Sequence, residues 1–199
     1  MVVDVDEVLA MFMRGFETFL GGQGLEMRID RFALFQNIFR PGASEHIDVA
    51  EGRRMFDAFF AADVEHIDAA PGAEEALRAL SQHANIVILT NAPEQSRGPR
   101  ARWLTSRGFP YPLILSSGLK GAPVKALAAR TRGPVVFIDD LLPNLESVAA
   151  DAPHTHRFQH VADIRLQALA PSAPDRHARI DDWALLGPAI ARAIGQESA

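Results

Sequence analysis

The chain opens with Val2-Val3-Asp4-Val5-Asp6, a short β-branched run that ends in two aspartates one residue apart. A second apolar run, Val135-Val136-Phe137-Ile138-Asp139-Asp140, ends in an acidic pair far downstream. Apolar runs without alternation are typical of strands buried on both faces of a parallel sheet. The carboxyl ends of such strands meet in the crevice where open α/β sheets bind ligands. We therefore expect the two acidic pairs to lie together at one edge of a parallel sheet.

This meeting of carboxylates requires a positive partner. Four carboxylates close together repel one another, so a cation is expected among them. An all-oxygen set of donors favours Mg²⁺. The leading hypothesis from these residues is a magnesium-dependent phosphoryl-transfer site. The carboxylates belong to Asp4, Asp6, Asp139 and Asp140.

The rest of the chain alternates between strand and helix patterns, which predicts a three-layer α/β/α, Rossmann-like parallel sheet with helices on both faces. The further strands are expected at about 85–90, 113–116, 134–139 and, more weakly, 156–161. The helices between and after them are expected at about 95–107, 121–132, 143–150 and 182–194.

The segment between the first strand and Pro71-Gly72 has a different composition. Nine of the twelve phenylalanines fall between Phe12 and Phe60, as expected for the bulky core of a small helical bundle. Three helices are predicted there, at about 8–20, 30–39 and 48–62.

Composition narrows the class of protein. The formal net charge of −5 gives no sign of binding to nucleic acid or to anionic membranes. The chain has no cysteine, which excludes disulfides, thiolate metal sites and a cysteine nucleophile. No apolar run reaches the length of a membrane span. The expected compartment is the cytoplasm, and the oligomeric state is not predicted.

Lysine is rare in this chain. Of the 20 basic residues only Lys120 and Lys125 are lysines, and they lie within one short stretch. One of them is a candidate for a point charge at a phosphate. The alternative is that both are solvated side chains of a helix.

Taken together, these motifs resemble the haloacid dehalogenase (HAD) superfamily of hydrolases over about residues 1–150. The resemblance rests on four elements in the family's order and spacing, each weak alone and specific in combination. They are Asp4-Val5-Asp6-Glu7-Val8, Leu89-Thr90-Asn91, Lys120-Gly121 and Phe137-Ile138-Asp139-Asp140.

The resemblance implies a role for each matching residue. Asp4 would be the nucleophile that forms an aspartyl-phosphate, and Asp6 the general acid and then the base. Thr90, and the Asn91 backbone, would donate hydrogen bonds to the phosphoryl oxygens. Lys120 would neutralise both the nucleophile and those oxygens.

The implied cofactor is Mg²⁺. Asp139 would bind it together with the carboxylate of Asp4 and the backbone carbonyl of Asp6. Asp140 would be a ligand through water or a partner that orients the ligands. Glu7 departs from the family, which often has glycine at that position.

The resemblance also implies a domain plan and a reaction. Residues 1–10 and 70–199 would form the α/β core, and 11–69 a helical cap that closes over the site. Dehalogenating members need no acid two residues after the nucleophile, so Asp6 favours an oxygen leaving group. We expect hydrolysis of a small phosphomonoester, with a phosphorylated metabolite or a nucleotide as substrate. The alternatives are a 5'-deoxynucleotidase-like nucleotidase, a dehalogenase, a phosphomutase and, least favoured, a non-catalytic binding domain.

Two further interpretations remain to be compared with the structure. The arginines around Trp103, at positions 97, 100, 102 and 107, are expected on a solvated helix face, although Arg97 or Arg100 could touch the far end of a substrate. Asn144 either supports the metal-binding loop or caps the helix that follows.

Overall fold

The computed structural model describes residues 1–195. The predicted core range runs to Ala199, and its last four residues lie outside the described part. Strands in residues 1–195 are β1 (Val2–Val3), β2 (Glu26–Met27), β3 (Ile38–Phe39), β4 (Val87–Asn91), β5 (Leu113–Ser116), β6 (Val136–Asp139), β7 (His156–Gln159) and β8 (Ala178–Arg179). Helices in the same range are α1 (Phe12–Gly22), α2 (Val49–Ala62), α3 (Ala73–Leu80), α4 (Arg97–Ser106), α5 (Gly121–Ala128), α6 (Leu142–Asp151), α7 (Ile164–Gln167) and α8 (Trp183–Gly195).

Six strands form one parallel sheet in the order β5-β4-β1-β6-β7-β8. The short strand β1 lies at its centre, where Val3 pairs with Ile88 on one side and with Ile138 on the other. This register places the residues that follow β1, β4 and β6 side by side at one edge. The predicted parallel sheet is confirmed.

Helices cover both faces of the sheet. Alternate residues of the central strands point to opposite faces, as the two-residue period of a strand requires. Val3 and Ile138 belong to the larger apolar core, which includes residues of α1, α3, α4 and α8. Val2 and Phe137 belong to a second core with Val124 of α5. The three-layer arrangement is therefore confirmed.

Between β1 and β4 the chain forms α1, an antiparallel ribbon of β2 and β3, and α2. The helix predicted at 30–39 is wrong, because Ile38 pairs with Met27 across the ribbon and its carbonyl accepts from the Ile47 N–H at 2.8 Å. Pairing with residues distant in sequence outweighs the helix-like spacing of the apolar side chains. The helix predicted at 48–62 is confirmed, and Asp48 caps it by accepting from the Ala50 N–H.

The chain leaves the sheet and returns to it through two adjacent connections. The Ala70 N–H donates to the Leu9 carbonyl at 2.7 Å, and the Met11 N–H donates to the Asp68 carbonyl at 2.9 Å. These hydrogen bonds tie the start and the end of the intervening segment to each other.

Within residues 1–195, no helix combines the length and the apolar character needed to cross a membrane.

Gly121 allows α5 to pack closely against α6. A methyl group at this position would overlap the Ser147 carbonyl and the Asp151 carboxylate, both on α6. The Gly121 N–H also donates to the Ser147 hydroxyl at 3.0 Å. Only glycine fits at this contact, and it directly follows Lys120.

We predict that Gly121→Ala lowers the free energy of unfolding by about 1–3 kcal/mol, because backbone atoms of α6 must shift to admit the methyl group. Gly21→Ala is the matched control, since nothing lies within 4 Å of a methyl group there. Alanine in that helix should be neutral or slightly stabilising. Urea unfolding of both variants checks the prediction, and equal stabilities would contradict the packing argument.

Candidate active site

The sheet brings the predicted site residues to one edge. Asp4 directly follows β1, and its N–H donates to the Ile138 carbonyl of the neighbouring strand at 3.0 Å. Thr90 lies near the end of β4, and Asp139 is the last residue of β6. All three side chains are buried. Their positions follow from the register of the three central strands.

Lys120 lies between two of the carboxylates. Its Nζ is 2.7 Å from Oδ1 of Asp4 and 2.7 Å from Oδ2 of Asp139. Burial alone would lower the pKa of Lys120, but the two carboxylates raise it above its ordinary value. Lys125, the other candidate, is exposed. The structure thus brings Lys120, and not Lys125, to the aspartates.

The loop after β6 holds Asp139 in place. Its Oδ1 accepts from the Leu141 N–H and from the side-chain amide of Asn144, each at 2.9 Å. Asn144 is buried in the first turn of α6 and supports the acidic loop, which answers the question that the sequence left open. Burial raises the pKa of Asp139, while Lys120 opposes the rise.

Asp140 differs from the other two carboxylates in its surroundings. Among residues 1–195 no cation forms an ion pair with it, although its side chain is buried. Burial, and then repulsion by Asp139 and Asp4, raise its pKa well above the ordinary value.

These carboxylates fit a divalent metal ion. One oxygen each from Asp4, Asp139 and Asp140 lies within 4.8 Å of the others. Lys120 neutralises only part of their combined charge. An all-oxygen, negatively charged and buried donor set is the kind that Mg²⁺ occupies in proteins.

Asp6 forms an ion pair that the sequence did not reveal. Oδ1 of Asp6 is 2.7 Å from Nη2 of Arg100 on α4, and Asp6 keeps 21% of its side chain exposed. The expectation that Arg100 lies on a solvated face is wrong, because its side chain is fully buried. Burial raises the pKa of Asp6, and the guanidinium of Arg100 opposes that rise.

Arg100 lies in an aromatic environment. Its guanidinium carbon is 5.0 Å from the centre of the Phe60 ring and 5.7 Å from that of Trp103. Aromatic faces attract a cation and partly compensate its burial. The ion pair joins residues that are far apart in sequence, so no local pattern predicts it. The one hint in the sequence is an arginine one helical turn before a tryptophan, a spacing that places both side chains on the same face of α4.

Glu7 is the one non-glycine residue with positive φ in residues 1–195, at 57°. Its Oε1 accepts from the Met13 N–H at 2.8 Å and its Oε2 from the Asp163 N–H at 2.9 Å. Burial raises the pKa of Glu7 to about 7, although both donors act to lower it. Glu7 therefore adopts a backbone conformation that glycine takes more readily, and its side chain joins two other segments to this turn.

A cavity of about 410 Å³ opens above the aspartates. Thr90 and Asn91 line it, and the Asn91 side chain donates to the Gly118 carbonyl at 2.9 Å. The predicted residues on its wall are Asp4, Asp6, Thr90, Asn91, Lys120 and Asp140. Asp139 lies behind Lys120, to which it is bonded.

Neither a protein-family model nor a curated protein matches this sequence. Solved structures share its fold. A haloacid dehalogenase-like hydrolase from Streptococcus pneumoniae matches with a TM-score of 0.62 at 14% identity, over 95% of this chain and 96% of that chain. The HAD-hydrolase YfnB from Bacillus subtilis, whose structure contains magnesium, matches with a TM-score of 0.62 at 13% identity, over 95% of this chain and 96% of that chain. A haloacid dehalogenase-like hydrolase from Xanthomonas campestris gives 0.58 at 15% identity over 99% and 96%.

At these identities the likeness is one of fold. The chain has the fold of the haloacid dehalogenase superfamily, and the expectation drawn from its motifs is confirmed at that level.

We predict that Asp140→Asn raises the free energy of unfolding by about 1–3 kcal/mol in chelator at pH 8, because it removes a buried charge that lacks a partner. Mg²⁺ at a hundredfold excess over its dissociation constant should stabilise the original protein by about 2.7 kcal/mol. The variant should lose most of that stabilisation. Thermal unfolding with EDTA and with Mg²⁺ measures both effects.

Asp175→Asn is the control, since Asp175 is exposed. It should respond to chelator and Mg²⁺ as the original chain does. An undiminished response to Mg²⁺ in the Asp140→Asn variant would show that Asp140 does not take part in binding the ion.

Proposed function

We propose that this protein is a Mg²⁺-dependent phosphatase that hydrolyses a small phosphomonoester through an aspartyl-phosphate. The observation that carries the proposal is the carboxylate cluster around the buried Lys120, which lies at the floor of a cavity of substrate size. The fold shared with haloacid dehalogenase-like hydrolases supports an enzyme of this class.

In the first step a carboxylate oxygen of Asp4 attacks phosphorus. The bond between that oxygen and phosphorus forms as the bond from phosphorus to the leaving oxygen breaks. Asp6 gives its proton to the leaving oxygen, which departs as an alcohol. The raised pKa of Asp6 keeps it protonated to a higher pH than an exposed aspartate, which suits a general acid.

In the second step Asp6 acts as the base. Its carboxylate takes a proton from a water molecule, and the water oxygen bonds to phosphorus as the bond from phosphorus to Asp4 breaks. Inorganic phosphate leaves and Asp4 is restored. Arg100 holds the Asp6 carboxylate at the cavity wall in both steps.

The phosphoryl oxygens need donors and positive charge in both steps. Lys120 supplies the charge, and the Thr90 hydroxyl and the Asn91 backbone supply hydrogen bonds. Asp4, Asp139 and Asp140, with the Asp6 backbone carbonyl, would hold the metal ion. When bound, Mg²⁺ supplies charge that neutralises the phosphoryl oxygens. The magnesium in the YfnB structure supports the choice of ion.

We also propose that residues 11–69 are a cap on a core formed by residues 1–10 and 70–199. Phe12 and Met13 of α1, and Phe56 of α2, line the same cavity as the aspartates. A cap of this kind excludes water from the reaction.

We predict that Asp4→Asn lowers kcat for phosphate release by about 10⁴-fold or more, because the amide cannot form the phosphoenzyme. Phosphate release from a panel of phosphomonoesters, with Mg²⁺ and with chelator, measures the effect. Asp175→Asn is again the control, and circular dichroism shows that both variants fold. Substantial turnover by Asp4→Asn would remove Asp4 as the nucleophile, and a phosphorylated isomer as product would indicate a phosphomutase.

Asp6→Ala should separate the two types of leaving group. We expect a loss of about 10²–10⁴-fold in kcat/KM for an alkyl phosphate, whose alkoxide needs a proton, because kcat/KM reports formation of the phosphoenzyme and not its hydrolysis. The loss for p-nitrophenyl phosphate should be at least tenfold smaller, because that leaving group departs without one. Parallel kinetics on the two esters test this, and equal losses would argue against Asp6 as the acid.

A further inference from the structure

The cavity above the aspartates differs sharply between its floor and its walls. The floor carries the charged groups of the proposed reaction. The walls carry apolar side chains of α1, α2, α7, the loop that joins β2 to β3, and the loop after β6 with the start of α6. Six of these side chains are Phe12, Met13, Phe32, Leu34, Phe56 and Leu166.

Within residues 1–195, the cavity wall offers no free cation to a second anionic group of a substrate. In the described part of the chain Lys120 is the only basic residue on its wall, and it is already bonded to Asp4 and Asp139. Arg100 lies behind Asp6 and is not on the wall. A carboxylate or second phosphate in this cavity would find no cation on the wall and would face the acidic floor.

The cavity also offers few free hydrogen-bonding side chains to a polyol. Three polar residues line it besides the aspartates, Thr90 and Lys120, and each already has a partner. The Asn91 amide donates to the Gly118 carbonyl, and the Asn144 amide donates to Asp139. Both Glu7 oxygens accept from backbone N–H groups. The hydroxyls of a sugar would therefore lose hydrogen bonds to water and gain few hydrogen bonds to the protein.

From this lining we infer that the leaving group is a neutral, apolar alcohol, so that the substrate is the phosphomonoester of a short hydrophobic alcohol. The inference rests on the proposed phosphatase activity and specifies its substrate class. A volume of about 410 Å³ lies toward the lower end of the range for ligand pockets, so the cavity accommodates a phosphate that carries one ring or a short alkyl chain.

The test is a series of n-alkyl monophosphates from methyl to hexyl, assayed for phosphate release with Mg²⁺. From ethyl upward these alcohols have nearly the same pKa, so differences in kcat/KM report binding of the chain rather than chemistry. We expect kcat/KM to rise about three- to fourfold per methylene until the cavity is filled. Binding of the matching alkylphosphonates, measured by calorimetry, should show the same trend without turnover.

Substrates of matched size test the exclusion of charge. Phosphoglycolate should be hydrolysed at least about a hundredfold less efficiently than propyl phosphate, because its carboxylate finds no partner. The kcat/KM for glycerol 3-phosphate should likewise be lower than that for butyl phosphate, because its hydroxyls find few hydrogen-bonding partners in the cavity.

Two variants locate the effect in the cavity. Phe32→Ala should lower kcat/KM for hexyl phosphate about tenfold or more and leave methyl phosphate within about twofold. Phe19→Ala removes the same atoms from a half-buried ring outside this cavity and should leave the series unchanged. Leu34→Arg should raise the ratio of kcat/KM for phosphoglycolate to kcat/KM for propyl phosphate at least tenfold, because it adds a cation that can pair with the carboxylate.

The outcomes separate this inference from the proposed function. A kcat/KM for phosphate release that does not change along the alkyl series, or that is highest for phosphoglycolate or glycerol 3-phosphate, would support the proposed phosphatase activity and overturn the inference of an apolar leaving group. If phosphonate binding strengthens with chain length but no ester releases phosphate, the apolar character of the binding pocket is supported and the proposed phosphatase activity is overturned. Neither release nor binding by the folded protein overturns both.

Discussion

The two ion pairs of Lys120 are the constraint on which the rest of the site depends. Its ammonium group is buried and lies 2.7 Å from a carboxylate oxygen of Asp4 and of Asp139. A charge buried without partners would cost several kcal/mol, so these groups must arrive together. They come from the end of β1, the end of β6 and the start of α5. The central position of β1 and the close packing at Gly121 are the features of the fold that make this meeting possible.

The contrast between floor and walls gives the site its electrostatic character. Apolar walls exclude water, and attraction and repulsion at the floor are therefore stronger than they would be in solvent. Burial at this edge of the sheet raises the pKa values of Asp139 and Asp140, because it penalises the ionised carboxylates. A bound cation would relieve that penalty, so metal binding and the stability of this edge of the sheet are linked.

The sequence predicts the parallel sheet and the residues at its edge, because both leave local signals. Asp4, Thr90, Lys120 and Asp139 each stand beside an apolar strand or a helix start. The ribbon of β2 and β3 leaves no such signal, since its pairing joins residues that are apart in sequence. The hydrogen bond from Arg100 to Asp6 also joins residues that are far apart in sequence and leaves no local signal. The polar residues around Arg100 predict an exposed side chain, whereas the structure buries it fully.

Glu7 has a mechanical consequence. A glycine would adopt its positive φ without strain, but it would leave the Met13 and Asp163 N–H groups without the acceptors that the carboxylate provides. Met13 lies in the first turn of α1, and Glu7 directly follows Asp6 in the chain. The carboxylate is thus a tether between α1 and the turn that carries Asp6. A displacement of α1 would therefore be transmitted through Glu7 to that turn, so the position of this cavity wall and the position of the proposed proton donor are mechanically linked.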